Sequence, residues 1–391
     1  MSLNTLLIAS RLIAVQAPPP PVYEAPFNID DALISARGSN VFTGNWESQT
    51  FAENSGSIIN VNTAQPVIIE NSRFRSRSQH ACVRSLIPGS QITVRNCIGE
   101  TLNPNVAGQA AGYFVKLSEP GTVVVENNTI SGSGGVLIVG SVSMLTEVAS
   151  VRIRYNKLRN IDGRKSDGAG GYVDELSNST AYFMARQAVQ FDKITCADAI
   201  IDWNDLIDTP LQSRREDAYN FGNAKGTAGS YILVRNNYIG GGWTAKPFAN
   251  TYSGAGLLTE NASQYIEFRA NRVVNASNMA AHMAGGSHYR LIDNRIVSTN
   301  KIDGTYVFVA NGSCVYSDGS RTYVEATGNR YSWTRAGDLQ SGFTIVLGTG
   351  SVKTDNVQLA VPATTAMEQA ERDLWLADAA AAGVTVGSSL V

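Results

Sequence analysis

Apolar and polar positions along Val123-Val-Val-Glu-Asn-Asn-Thr-Ile130 follow an order that recurs down the chain. Three positions rich in apolar residues are followed by two mostly polar ones, an asparagine, one variable residue and another apolar one. The copies read Val151-Arg-Ile-Arg-Tyr-Asn-Lys-Leu158, Ile200-Ile-Asp-Trp-Asn-Asp-Leu206, Ile232-Leu-Val-Arg-Asn-Asn-Tyr-Ile239, Ile266-Glu-Phe-Arg-Ala-Asn-Arg-Val273 and Tyr289-Arg-Leu-Ile-Asp-Asn-Arg-Ile296. Val324 to Tyr331 is a degraded copy, and Val67 to Phe74 and Ile92 to Ile98 are earlier relatives. The markers Asn128, Asn156, Asn204, Asn237, Asn271, Asn294 and Asn329 are separated by 28, 48, 33, 34, 23 and 35 residues. Such steps fit stacked coils of roughly 22 to 25 residues with loops added, the longest being two coils or one coil with a large insertion. Each marker ends a short β-rich run, and asparagine is the non-glycine residue that best tolerates the left-handed backbone of a sharp corner. Stacked corners would place the amides in a ladder, about 4.8 Å from rung to rung.

A second strand type follows most of these corners, at Tyr113 to Leu117, Gly135 to Val139, Gly256 to Glu260, Met279 to Met283, Tyr306 to Ala310 and Phe343 to Leu347. Small residues at the ends of such runs permit the next corner, and the runs predict a second sheet in each coil. Insertions swell at 161–195, 209–230 and 240–253, and insertions at neighbouring coils build one face of a solenoid. Residues 29–36 predict a short helix closing the first coil, whose strands would otherwise present unpaired backbone groups. Residues 361–383 predict a second helix, capped by Thr364 or Thr365 with Glu368 at the capping-box position, and stopped by Gly383. Its apolar stripe would run through Met367, Ala370, Leu374 and Ala377 or Asp378, with Trp375 beside it, to cover the last coil or meet a neighbouring subunit.

Across about residues 40 to 358 these copies resemble the right-handed parallel β-helix of the pectate-lyase-like superfamily. The resemblance implies an all-β solenoid, with an N-terminal anchor, spacer and cap over 1–39 and a C-terminal helix and tail over 359–391. It does not choose an activity, because the superfamily includes polysaccharide lyases, glycosidases, epimerases, virus tailspikes and proteins with no known catalysis. The chain has neither the aspartate-dense calcium site nor the spaced Arg/Lys motif of pectate or alginate lyases, so no catalytic residue carries over.

Composition supports a turn-dense β solenoid: 36 glycines and 16% charged residues in 391, with 43% hydrophobic. A net charge of −2 suggests neither nucleic acid nor an anionic membrane as partner, and no uninterrupted run of 18 apolar residues predicts a membrane span. Cys82, Cys97, Cys196 and Cys314 lack metal-ligand spacing and read as reduced interior positions, Cys82 and Cys97 being close enough in sequence to bridge if their coils align. Residues 3–15 are apolar on most helical faces, Arg11 interrupts them, no basic residue precedes them, and Pro18 to Pro21 follow. This reads as an anchor and polyproline spacer rather than a cleaved signal peptide.

Chemistry is sparser. Asp217, Glu260 and His282 are the candidate catalytic residues, the two acids as a glycosidase pair, or His282 or Lys246 as the base of a lyase with Arg214 or Arg215 offsetting a uronate. Arg214, Arg215, Tyr219, Trp243, Lys246 and Tyr252 are the candidate glycan contacts, with Phe248 as a further stacking ring. The bland alternative is that Glu260 caps a turn, His282 is a hydrogen-bonded half-buried side chain, and 214–217 is a solvated charge run. Calcium on Asp162, Asp167 and Asp174 lacks a recognised binding loop, so no metal and no cofactor is expected. An anchor and spacer ahead of a glycan-facing solenoid is the plan of bacteriophage spikes. The expectation is therefore a virion-surface protein, attached to other virion proteins through residues 3–21, trimeric, and binding host polysaccharide. The alternatives are a secreted polysaccharide lyase or glycoside hydrolase, and a purely structural decoration protein.

Overall fold

The computed structural model describes residues 21–48, 56–141, 145–177, 179–249, 251–276 and 278–390 of the chain. The anchor over residues 3–20 therefore lies outside the described residues. Numbering the sheets by their order within a coil, sheets 1 and 2 have eleven strands each and sheet 3 has twelve. Each coil contributes one strand to each sheet in turn, and neighbouring coils pair in parallel, except for the last strand of sheet 3, Leu339–Gln340, which pairs antiparallel with Arg330–Arg335. This is a parallel β-helix.

The alternation read in the sequence is the reason. In sheet 2 one side of each strand is buried and the other faces solvent, as in Thr122–Glu126 and Ser150–Arg154. The inward residues stack like on like: Ile92 on Val123 on Val151, and further along Ile232 on Ile266 on Tyr289 on Val324. All of these are at most 1% exposed. Burying each such side chain stabilises the coil by about 1.5–3 kcal/mol, and a one-residue slip would expose the whole row.

The marker asparagines stand directly above one another. Asn128 Nδ2 donates to Asn156 Oδ1 at 3.0 Å, and the ladder continues through Asn204, Asn237, Asn271, Asn294 and Asn329 to Asn356, with rungs of 2.8–3.2 Å. The long step from Asn156 to Asn204 is thus a single coil with a large insertion. Each ladder Oδ1 also accepts the backbone N–H of the preceding marker, and each Nδ2 donates to a strand carbonyl such as Ile201 O. Towards the N-terminus Cys97 and Ser72 occupy the same position, Cys97 N donating to Asn128 Oδ1 at 2.9 Å and Ser72 Oγ accepting from Gly44 N at 3.1 Å.

The left-handed residue is not the marker, as the sequence suggests, but the one before it. Asn127, Tyr155, Trp203, Asn236, Ala270 and Asp293 have φ of 52 to 61°. That even tyrosine and tryptophan adopt this backbone shows the ladder dictating the corner rather than local preference, at a strain of order 1–3 kcal/mol each.

Three sheets, not two, form a coil, because the residues after each marker, such as Thr129–Ser131, pair in a sheet of their own. Tyr306 to Ala310 is not a sheet 1 strand. Thr305–Tyr306 forms a hairpin with Lys301–Ile302, and Ser313–Ser317 takes the sheet 1 place. The solenoid also starts before residue 40, since Phe27–Ile29 pairs with Ile59–Val61. Helix α1, Asp31–Arg37, follows it, capped by Asp30 and inserting Ile34 into the core.

Helix α2, Thr365–Ala381, is capped by Thr364. Glu368 consequently falls one position beyond the capping box and instead accepts from Thr299 N at 2.5 Å. The helix ends with Val384 N on Ala379 O and Gly383 N on Ala380 O, with Gly383 at φ +67°, the paired 6→1 and 5→2 bonds of a Schellman stop. The helix does not cover the last coil. It folds back along sheet 3 and buries Glu371, Trp375 and Ala379, a stripe rotated by one residue from the expected one; Leu374 and Leu376 face solvent. Glu371 pairs with Arg272 and Arg295, Arg372 with Asp205, and Trp375 Nε1 donates to Asn236 O at 2.7 Å. The tail continues along the corners, Gly387 N bonding Tyr155 O and Ser389 N bonding Asn96 Oδ1. Left-handed corners turn peptide groups outward, and this strap uses them. Leu374→Gln should change stability by less than about 0.5 kcal/mol in urea unfolding. A loss above 1 kcal/mol would contradict the observed helix face.

Candidate functional site

The insertions between sheet 3 and sheet 1 strands stack on one side of the rod. Residues 161–188, 208–218 and 241–254 interlock there through Arg214 Nε on Glu175 Oε1 at 2.7 Å, Ala245 N on Glu175 Oε2 at 3.0 Å and Lys246 Nζ on Asp174 Oδ1 at 2.5 Å. Together with the first residues of the sheet 1 strands they enclose a cleft of about 270 Å³.

Asp217, Glu216, His282, Tyr252, Asn278 and Asn311 line it. Asp217 lies two residues before the strand Tyr219–Gly222, and its Oδ1 accepts from Ala255 N at 2.6 Å in the next coil. Asn220 Nδ2 reaches Asp217 Oδ2 at 3.0 Å and Glu260 Oε2 at 3.3 Å, so two carboxyls share one amide. Glu216 adds a third and accepts from Gln187 Nε2 at 2.9 Å. Burial, followed by the Glu216 charge, pushes the Asp217 carboxyl up to about 7. Glu216 is raised by burial too, with Arg214 opposing and Glu260 reinforcing. His282 is lowered by burial and by Arg321, and its ring lies 5.6 Å from that of Tyr316.

A carboxyl whose folded pKa is raised destabilises the fold above that pKa, and the penalty disappears as pH falls towards the unfolded value. Asp217→Asn should therefore stabilise the protein at pH 8 by about 1–2 kcal/mol, the raw charge penalty being partly offset by the amide's own burial. The advantage should shrink between pH 7 and pH 4. Urea midpoints of both proteins at three pH values check this, and a constant difference would remove the buried charge as its cause.

Compared with known proteins, the chain matches no family model, no curated protein and no solved structure.

Of the candidate residues, Asp217, His282, Arg214 and Tyr252 do meet at one cleft, and Glu260 is tied to it through Asn220. The others are placed elsewhere. Arg215 is 1% exposed and pairs with Asp208 at 2.7 Å, so 214–217 is no solvated charge run. Tyr219 points into the coil interior at 0% exposure and offers no ring face to a sugar. Trp243 is buried against Ile302 and Val307. Lys246 pairs with the exposed Asp174 and does not line the cleft. Arg214 is itself buried, its guanidinium 3.2 Å from the Phe183 ring centre, and works as a wall that joins loops. Phe248 is exposed but does not line the cleft. The three aspartates considered for calcium are dispersed: Asp162 pairs with Arg164, Asp174 with Lys246, and Asp167 accepts from its own turn. All four cysteines are buried and free.

Glu216, Asn220, Asn278 and Asn311 were not singled out by sequence. Glu216 and Asn220 lie in the same run as Asp217, and strand alternation through Tyr219–Gly222 would have put Asn220 on the outer face. Asn278 and Asn311 gave no signal, since only coil stacking brings their loops beside Asp217.

Proposed function

We propose that this is a virion-attached β-helical protein that binds host surface polysaccharide along sheet 1. The observation that carries the glycan part is the cleft over Asp217, where carboxyl, amide and imidazole groups converge at the edge of a rigid sheet. Such a mixture of acceptors and donors suits sugar hydroxyls, and a sheet that continues along the rod suits a polymer. Attachment to other virion proteins through residues 3–21, and a trimeric assembly, belong to the same proposal and rest on the apolar segment and proline spacer of the sequence. Purified protein mixed with host glycan should be retained, and Glu216→Gln and His282→Ala should weaken retention at least about tenfold. Retention that neither change affects would place binding elsewhere.

The second reading, cleavage by a lyase or hydrolase, is favoured by one observation: Asp217 holds a proton near neutrality beside two further carboxyls. Its full burial counts against direct proton delivery to a bound sugar. New reducing ends or unsaturated uronate absorbance, abolished by Asp217→Asn, would establish it.

A further inference from the structure

A second cleft, of about 370 Å³, opens on the same edge of sheet 1 nearer the N-terminus, and its chemistry is the reverse of the first. His80, Arg84, Lys116 and Arg186 line it, with Tyr113 as its wall. Arg84 and Lys116 are in register on adjacent strands, pointing outward, which sets like charges about 5 Å apart at their Cβ atoms. Among the described residues no carboxylate pairs with any of the four. Arg84 Nε is buried without a hydrogen-bond partner among them. Arg186 is held over the Tyr113 ring at 4.9 Å and fixed by Ala111 O at 2.7 Å, so its charge is positioned rather than mobile. Burial and mutual repulsion lower both Lys116 and His80.

On the outer face of sheet 2, by contrast, several arginines are matched: Arg95 with Glu70, Arg154 with Glu126, Arg235 with Asp202 and Arg290 with Glu325. The cationic cluster has no such counter-charges among the described residues, and like charges placed opposite each other destabilise a sheet unless something binds them. The row that carries Arg84 and Lys116 continues through Leu137, Gln190, Asn220 and Leu258 to His282. At about 4.8 Å per strand, Lys116 stands about 14 Å from Asn220. A chain of bonds spans the gap: Tyr113 Oη lies 3.0 Å from Gln187 Oε1, and Gln187 Nε2 donates to Glu216.

We propose that the cleft formed by His80, Arg84, Lys116 and Arg186 binds an anionic substituent, a carboxylate, sulfate or phosphate group, carried by the polysaccharide whose neutral part lies over Asp217. This rests on the glycan-binding reading above and names the class of glycan. Guanidinium and ammonium groups fixed around one cleft bind an oxyanion through charge-assisted hydrogen bonds.

Calorimetry of the full chain with inorganic sulfate, oligogalacturonate and methyl-esterified oligogalacturonate tests it. Sulfate and oligogalacturonate should bind, the ester at least about tenfold more weakly, and Arg84→Gln or Lys116→Gln should each weaken anion binding by about tenfold. Lys246→Gln, in a side insertion and lining neither cleft, should leave it unchanged. Lys116→Gln should also raise the melting temperature of the free protein, since it relieves repulsion; a purely structural lysine would lower it. Equal affinity for the ester and the acid, or anion binding indifferent to both substitutions, overturns the proposal while leaving neutral glycan binding intact. Sulfate binding that the substitutions abolish, in a protein that retains no polysaccharide, supports the anion site and overturns the glycan reading instead.

Discussion

Asn237→Ala should lower stability by about 3–6 kcal/mol, the melting temperature falling by about 5–10 °C. The Asn237 amide makes four buried bonds: to Ile201 O, to Asn271 Oδ1, and from both the backbone N and the Nδ2 of Asn204. Asn204 Nδ2 keeps Ile153 O, and Asn271 Oδ1 keeps the Asn237 backbone N–H. Asn204 N and Ile201 O lose their partners in a place closed to water. A buried orphan donor or acceptor costs about 1–3 kcal/mol, and the cavity adds to it. The same substitution at Asn356 should cost less than about 1.5 kcal/mol, because that rung is only half-buried and water can replace the amide. Thermal melts of the two variants check the contrast. Equal losses at the two positions would mean that the ladder acts through local corner geometry, not through buried amide pairing.

The second large effect is expected at a residue misplaced by its charge pattern. Arg215→Met should cost about 3–5 kcal/mol, because it removes the paired counter-charge of the buried Asp208 carboxylate and leaves it the Ile161 N–H as its hydrogen-bond donor. Both side chains are 1% exposed, the contact is 2.7 Å, and Arg215 Nη2 also donates to Gly241 O at 3.1 Å, tying the 208, 215 and 241 insertions together. Burial already raises the Asp208 carboxyl, with Arg215 opposing. Without the arginine it rises further, so a penalty absent at low pH grows as pH climbs through that raised value. The loss should therefore be smaller at pH 5 than at pH 8. The double change Arg215→Met with Asp208→Asn should restore most of it, as replacement of a whole buried pair generally does. A double variant no better than the single one would show that Arg215 contributes by packing rather than by pairing.

The two outcomes separate the forces in this fold. The rod is held by a repeated amide ladder and stacked apolar rows, and the side insertions by single buried ion pairs. Failure of the first should be cooperative along the axis, since each coil leans on its neighbours. Failure of the second should remain within the side cluster and reshape the cleft over Asp217 before it unfolds the rod.

The sequence by itself determined the solenoid. Period-two alternation specifies which face of each strand is inward, and the recurring asparagine specifies register, because a side-chain amide meets its copy only when the coils are aligned. That is local information repeated many times, and the amide ladder and the parallel sheets follow from it. The end of α2 was equally legible at Gly383, since a left-handed stop has a local signature. The tertiary structure alone decided where the insertions went, which face of α2 turned inward and which candidate residues remained available. Arg215, Tyr219 and Trp243 read as surface chemistry by residue type, yet each was buried by a partner, or by a strand direction, from a different stretch of chain. The helix stripe rotated by one residue because Glu371 met Arg272 and Arg295, pairings across 99 and 76 residues that no helical periodicity contains. The cationic cleft arose the same way: Arg84 and Lys116 are unremarked in sequence and become neighbours only when one coil is laid on the next. Repetition encodes contacts between like positions, whereas contacts between unlike segments depend on how far each loop reaches, and that is settled only in the folded chain.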